Sequence, residues 1–164
     1  MTILVKNKHT LLIDEFKFRC CIGKKSTTIN KKEGDQKTPK GTFEIENLYF
    51  RKDRIKKPQT SLKCIEIKET MGWCDDICEP KKYNKLIKID KKLKHEKLKR
   101  KDYKYDLLIP VKYNFKKPVV GKGSCIFIHL TKNYNPTAGC VALKEKDFLI
   151  LLKLIKKKTK IKIL

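Results

Sequence analysis

SCIFIHLTKNYNPTAGCVAL, residues 124–143, is the stretch from which the reading of this chain starts. SCIFIHL is apolar on both faces, which predicts a central strand buried on two sides, able to hold its last residues rigidly. His129 falls at its end. The polar segment TKNYNPTA then returns the chain to Gly139 and Cys140, eleven residues beyond the histidine. A cysteine nucleophile requires a base that favours the thiolate, donors where negative charge develops on a carbonyl oxygen, and access to a substrate. This segment can provide all three: His129 as the base, oriented at the end of a buried strand, and Gly139, which lets the backbone turn sharply without a Cβ so that amides beside Cys140 can face an oxyanion. Spacing alone leaves a second reading open, in which His129 is a packed core residue and Cys140 a buried thiol.

Working outward, KEKDFLILLKLIKKK (144–158) places Phe148, Leu151 or Leu152, and Ile155 at helical spacing, with Lys153 off that stripe. Acidic Glu145 and Asp147 open this helix and lysines close it, as the helix dipole favours. TKIKIL (159–164) alternates like a last edge strand. Toward the N-terminus, TILV and LLIDEFKFRCCI read as two strands joined by the turn KNKHT. GTFEIENLYF and SLKCIEIK alternate as strands, and YKYDLLIPVKYN is another. GWCDDICEPKKYN has the Gly, Asp, Pro and Asn of a structured loop. The lysine-rich NKLIKIDKKLKHEKLKRKD fits a helix or an irregular excursion equally well.

The 164 residues, 40% of them apolar, suffice for one domain with a real core. A net charge of +24 would ordinarily suggest a polyanionic partner, but only four of the 42 basic residues are arginine. Arginine is the residue that planar phosphate and base recognition favours. Lysines on solvated faces are therefore expected, and no nucleic acid. Seven cysteines (20, 21, 64, 74, 78, 125 and 140) include no pair at zinc-ribbon spacing, so no metal is expected. Reduced thiols are the default, with a disulfide the alternative in an oxidising compartment. No run approaches the roughly 18 apolar residues of a membrane span, and the N-terminus shows no signal-peptide pattern.

IHLTKNYNPTAGCVAL resembles the active-site signature of the L,D-transpeptidase (YkuD) catalytic domain, in which a histidine after an apolar strand is followed by a Ser/Thr-x-Gly-Cys element. KKEGDQKTPKGTFEI is similar to the family's second motif, here Gly34, Asp35, Thr38, Pro39, Gly41 and Phe43. Between the two motifs the chain looks like a compact bacterial branch of the family that is little more than the catalytic domain. The resemblance implies a mainly β (α+β) fold, a sandwich of mixed sheets with a C-terminal amphipathic helix, as a single domain over residues 1–164. It also implies peptidoglycan L,D-transpeptidation, hence a part in cell-wall biogenesis and cell shape. Cys140 would attack the tetrapeptide stem, release D-alanine and hold a thioester that an amine of a second stem resolves. His129 would move the proton, and backbone amides around Gly139 and Cys140 would hold the oxyanion. No cofactor is needed. Thr137, Ala138, Trp73, Asp75, Tyr83, Asn84 and His95 are the substrate-binding candidates; for Trp73 and its loop, a packed anchor is the competing reading. Asp35, Thr38 and Pro39 are expected to shape a turn. The partners implied are peptidoglycan stem peptides, acted on by a monomer in the cell envelope or periplasm.

Three departures stand out: Ala142 replaces an arginine found in many members, the His-Cys gap is shorter than in most, and no export signal is visible. An L,D-carboxypeptidase using the same site, with water as acceptor, is the first alternative. A catalytically inactive lysine-rich module binding wall polymer or nucleic acid is the second.

Overall fold

The computed structural model describes residues 1–164. The chain opens with β1 (Thr2–Asn7), β2 (Thr10–Ile13), β3 (Phe16–Arg19), β4 (Thr27–Thr28), β5 (Thr38–Pro39) and β6 (Gly41–Glu44). It continues through β7 (Leu48–Phe50), β8 (Cys64–Glu66), β9 (Met71–Cys74), β10 (Leu86–Lys88), β11 (His95–Lys97) and β12 (Leu107–Pro110). β13 (Phe127–Leu130), β14 (Val141–Leu143), the helix α1 (Glu145–Leu154) and β15 (Lys160–Ile163) complete it. The fold is mostly β, with mixed sheets and one short helix near the C-terminus.

Two five-stranded sheets dominate, ordered β3-β2-β1-β15-β6 and β14-β13-β12-β7-β8. Alternation explains the first: Ile3, Val5, Ile161 and Ile163 are buried while Lys160 and Lys162 stay in water. The second has no solvated face at its centre. Leu107, Ile109, Ile128, Val141 and Leu143 belong to the main core, together with Phe148, Leu151, Leu152 and Ile155. Tyr49, Leu108, Phe127 and Cys140 belong instead to a smaller cluster with Trp73 and Leu98. That cluster is covered by a three-stranded sheet, β10-β9-β11. Strands covered on both sides must be apolar throughout, which is the property SCIFIHL displays.

Several expectations from sequence change. β15 is not an edge strand: it pairs parallel with β1 and antiparallel with β6, and its alternation reports one solvated face rather than an unpaired edge. LLIDEFKFRCCI is a hairpin, broken where Asp14 takes a left-handed φ of 48°. GTFEIENLYF divides between the two large sheets as β6 and β7. GWCDDICEPKKYN begins as β9 before becoming a loop. NKLIKIDKKLKHEKLKRKD is neither helix nor irregular excursion, because β10 and β11 both pair with β9.

The helix shows the stripe expected of it, with Phe148, Leu151 and Leu152 buried and Lys153 exposed. Phe148→Ala should cost about 3–5 kcal/mol through the cavity it leaves. Lys153→Ala should change stability by no more than about 0.5 kcal/mol. Urea unfolding of the two variants checks this difference.

Candidate active site

β13 and β14 run parallel, with Ile128 opposite Val141 and His129 opposite Ala142. Alternation then turns Phe127, His129, Cys140 and Ala142 toward one face, the face of the smaller cluster. Residues 131–140 must carry the chain from the end of one strand to the start of its parallel neighbour. Parallel pairs usually need a dozen or more residues for this, so the loop is tight. It is tied down along its length. The Thr137 amide donates to Ile22 O and the Lys24 amide to Thr137 O, each at 2.9 Å. Thr137 Oγ1 donates to Cys140 O at 2.7 Å and accepts the Gly139 amide at 3.1 Å.

Gly139 is required twice over. Its φ is +145°, and a Cβ there would lie 2.9 Å from Lys37 O. Lys37 belongs to the second motif, so two segments a hundred residues apart in sequence press together here. Asp35 shapes that segment by accepting the Lys32 and Lys37 amides, both at 2.9 Å, and the Lys31 ammonium at 2.5 Å. Thr38 Oγ1 accepts the Gly23 amide at 2.8 Å.

His129 and Cys140 line one cleft of about 880 Å³. The carbonyl of Leu130 sits 2.9 Å from His129 Nδ1, which assigns the proton to Nδ1 and leaves Nε2 as the bare nitrogen. The Tyr105 ring meets the imidazole edge-on at 5.5 Å. Burial lowers the His129 pKa from 6.5 to about 4, with Lys104 and Arg100 also disfavouring its charged form. Burial, and then the charge of Glu96, pushes the Cys140 thiol up to about 12. The pair therefore rests as neutral thiol and neutral imidazole. Cys140 Sγ donates to Cys125 O at 3.2 Å and receives the Phe127 amide at 3.4 Å. The Gly139 amide, expected to face an oxyanion, is taken by Thr137, whereas the Cys140 amide donates to no protein acceptor.

Of the substrate-binding candidates, Thr137, Ala138 and Asp75 line the cleft. Trp73, Tyr83, Asn84 and His95 do not. Trp73 is buried and donates to Asn84 Oδ1 at 2.9 Å, and the Cys125 amide donates to the same oxygen at 3.1 Å. Asn84 Nδ2 reaches the carbonyls of Tyr113 and Asn114 at 3.1 and 2.7 Å. Tyr83 is fully buried, donates to Glu33 and accepts the Gly123 amide at 3.2 Å. These three anchor loops. His95 pairs with Cys74 in the β9–β11 register and shares the outer face with Gly72, away from the cleft.

The cleft also holds Glu96, Arg100 and Tyr105, which sequence reasoning missed. The one signal for Glu96 was its two-residue spacing from apolar Leu98, hidden among lysines. No group of three His, Cys, Asp or Glu side chains is placed to hold a metal ion, all seven cysteines are unpaired, and no helix is long and apolar enough to cross a membrane.

The family model of the L,D-transpeptidase catalytic domain (YkuD) matches residues 1–163, and the chain belongs to that family. Its members are in general cysteine-dependent acyltransferases that act on peptidoglycan in the cell envelope. Among solved structures, that of Bdellovibrio bacteriovorus Bd1075 is similar over 99% of this chain at 15% identity, with a TM-score of 0.48. The chain spans 47% of the length of that structure. Comparison with curated proteins finds no match.

Two measurements follow from this geometry. Gly139→Ala should destabilise the fold by about 1–3 kcal/mol, since alanine is strained at that φ and meets backbone; thermal melting reads it. Because the His129 pKa falls from 6.5 unfolded to about 4 folded, the unfolded chain binds the extra proton between those values. Stability is thus complete above the upper value and lost on acidification toward the lower, by up to about 3 kcal/mol. His129→Gln should flatten that part of a plot of unfolding midpoint against pH; an unchanged slope would assign the acid sensitivity to other groups.

Proposed function

We propose that this protein is a peptidoglycan L,D-transpeptidase, a single catalytic domain over residues 1–164, working as a monomer on stem peptides at the cell envelope. The observation that carries the reading is that Cys140 and His129 line one cleft and that the Cys140 amide donates to no protein acceptor. Its Nδ1 bond to Leu130 turns the His129 ring so that Nε2 is the nitrogen left to receive a proton.

In the first half-reaction the Cys140 sulfur attacks the carbonyl of the third, diamino acid residue of a tetrapeptide stem. With the thiol held near 12 and the imidazole near 4, no thiolate accumulates beforehand. Proton transfer to Nε2 accompanies formation of the S–C bond. The Cys140 amide receives the developing oxyanion, a contribution on the order of 3 kcal/mol. The imidazolium then returns its proton to the leaving nitrogen, the C–N bond breaks, and D-alanine departs. An amine of a second stem resolves the thioester and forms the cross-link.

Incubation of the protein with a disaccharide-tetrapeptide, followed by mass spectrometry, tests this directly. D-alanine release is expected from the wild type, none from Cys140→Ala, and about 10²-fold less or lower from His129→Ala. Dimer among the products identifies a transpeptidase, whereas tripeptide alone identifies a carboxypeptidase. If no protein releases D-alanine and the chain instead binds wall polymer with steep salt dependence, unchanged in Cys140→Ala, the enzymatic reading is lost. The neutral resting pair also predicts that iodoacetamide alkylation of Cys140 accelerates steadily from pH 7 to about 10. A rate already on a plateau at pH 7 would contradict it.

A further inference from the structure

Aminolysis of a thioester needs something that hydrolysis does not. An acceptor amine arrives as an ammonium ion and must lose a proton before it has a lone pair to attack with. His129 cannot meet the whole demand, because it must also take the second proton released as the new amide forms. A second base is needed within the cleft.

The geometry points to Glu96 as that base, the group that takes the first proton from the acceptor ammonium. This rests on the transpeptidase reading above. Glu96 lies on β11 opposite Trp73 of β9, on the inward face of the three-stranded sheet, and lines the same cleft as Cys140 and His129. One carboxylate oxygen, Oε2, accepts the hydroxyl of Tyr105. The Tyr105 ring in turn packs edge-on against His129 and against Phe127, at 5.5 and 5.6 Å. The amide of Phe127 is the one that touches Cys140 Sγ. Glu96 is therefore fixed one side chain away from His129, and it connects to Cys140 through Tyr105 and then Phe127. Its other oxygen, Oε1, takes no bond from the protein and is not sealed from solvent. The carboxylate is held by one oxygen and open to the cleft through the other.

The surroundings suit a base. Burial is the main influence and raises its affinity for a proton, with Asp75 and Glu33 adding to it, while Tyr105 and Arg100 favour its charged form. Arg100 does not close over the carboxylate as an ion pair, because its guanidinium is occupied by Asp102 at 2.8 and 2.7 Å. Asp75 lines the same cleft, with Lys94 at 3.4 Å from its Oδ2 and its Oδ1 buried without a hydrogen-bond donor.

The step balances as follows. The acceptor ammonium gives one proton to the Glu96 carboxylate and becomes a neutral amine. Its nitrogen bonds to the thioester carbonyl carbon, and His129 takes the second proton as the tetrahedral adduct forms. The C–S bond breaks, the sulfur leaves with the bonding pair, and the imidazolium protonates it. The amide and a neutral Cys140 thiol remain, and Glu96 returns its proton to solvent. Water in place of the amine carries no charge to remove, so hydrolysis bypasses Glu96.

The test measures dimer, tripeptide and D-alanine from one disaccharide-tetrapeptide with wild type, Glu96→Gln and Tyr105→Phe, each checked by thermal melting. Glu96→Gln should lower the dimer-to-tripeptide ratio by about 10²-fold or more, while the first-turnover burst of D-alanine that accompanies acylation of Cys140 falls by less than about threefold. An unchanged ratio overturns the proposal, whether or not total turnover falls. Should Glu96→Gln fail to fold, Tyr105→Phe decides: loss of the hydroxyl should move the acid limb of dimer formation to higher pH, and a limb that stays in place overturns the assignment. Wild type that yields D-alanine and tripeptide without dimer overturns the Glu96 role but leaves acylation by Cys140 standing. Wild type that releases no D-alanine removes both.

Discussion

The parallel pairing of β13 with β14 is the constraint on which the site depends, because it puts the end of one strand beside the start of the next at a fixed register. With Ile128 opposite Val141, the histidine and the cysteine fall on one face without either strand bending. The short return loop makes that pairing costly. Thr137 bridges Gly139 and Cys140, and Gly139 lies against the carbonyl of Lys37 in a conformation that glycine tolerates and other residues resist. The N-terminal motif thus buttresses the Gly-Cys turn through Lys37, while its Lys31, Glu33 and Gly34 line the cleft. Asp35 and Thr38 do not line the cleft: Asp35 accepts the Lys32 and Lys37 amides and the Lys31 ammonium, and Thr38 accepts the Gly23 amide.

Burial then sets the chemistry. Both His129 and Cys140 lie nearly out of solvent, so each is held in its neutral form, and the thiol rests against the carbonyl of Cys125. Many reactive cysteines sit instead in electropositive surroundings that stabilise the thiolate in advance. Here the nearby charge of Glu96 works in the opposite direction. In the proposed reaction a nucleophile that ionises only as it attacks would be protected from adventitious reaction, and it would need a correctly aligned base at the moment of attack. The bond from His129 Nδ1 to Leu130 O would provide that alignment.

Charge elsewhere is spent on architecture or left to water. All four arginines are engaged within the fold: Arg51, Arg54 and Arg100 with aspartates, and Arg19 over the Tyr134 ring at 4.4 Å. The lysines, by contrast, are mostly exposed, including Lys160 and Lys162 of β15 and Lys153 of the helix. The excess of positive charge accordingly sits on solvated faces of strands whose other faces build the core.

The sequence by itself determined what depends on local periodicity and on short motifs: strands that alternate, a helix with an apolar stripe, a doubly covered strand ending in His129, and a glycine where the backbone must turn before Cys140. These are legible because the residues that decide them are close together in the chain. Only the tertiary structure decided what depends on partners far away. TKIKIL alternates identically whether it lies at a sheet edge or between β1 and β6, and pairing with Thr2–Val5 settles the matter. Trp73 and Asn84 have side chains suited equally to a cleft or to an anchor; their mutual bond and the amide of Cys125 consume them as an anchor. His95 and Glu96 are neighbours in a lysine-rich run with no clear period, yet pairing of β11 with β9 turns one outward and the other into the cleft. A strand's faces are opposite by geometry, but which face meets the core is set by the sheet packed against it, and that contact is written in residues remote from the strand itself.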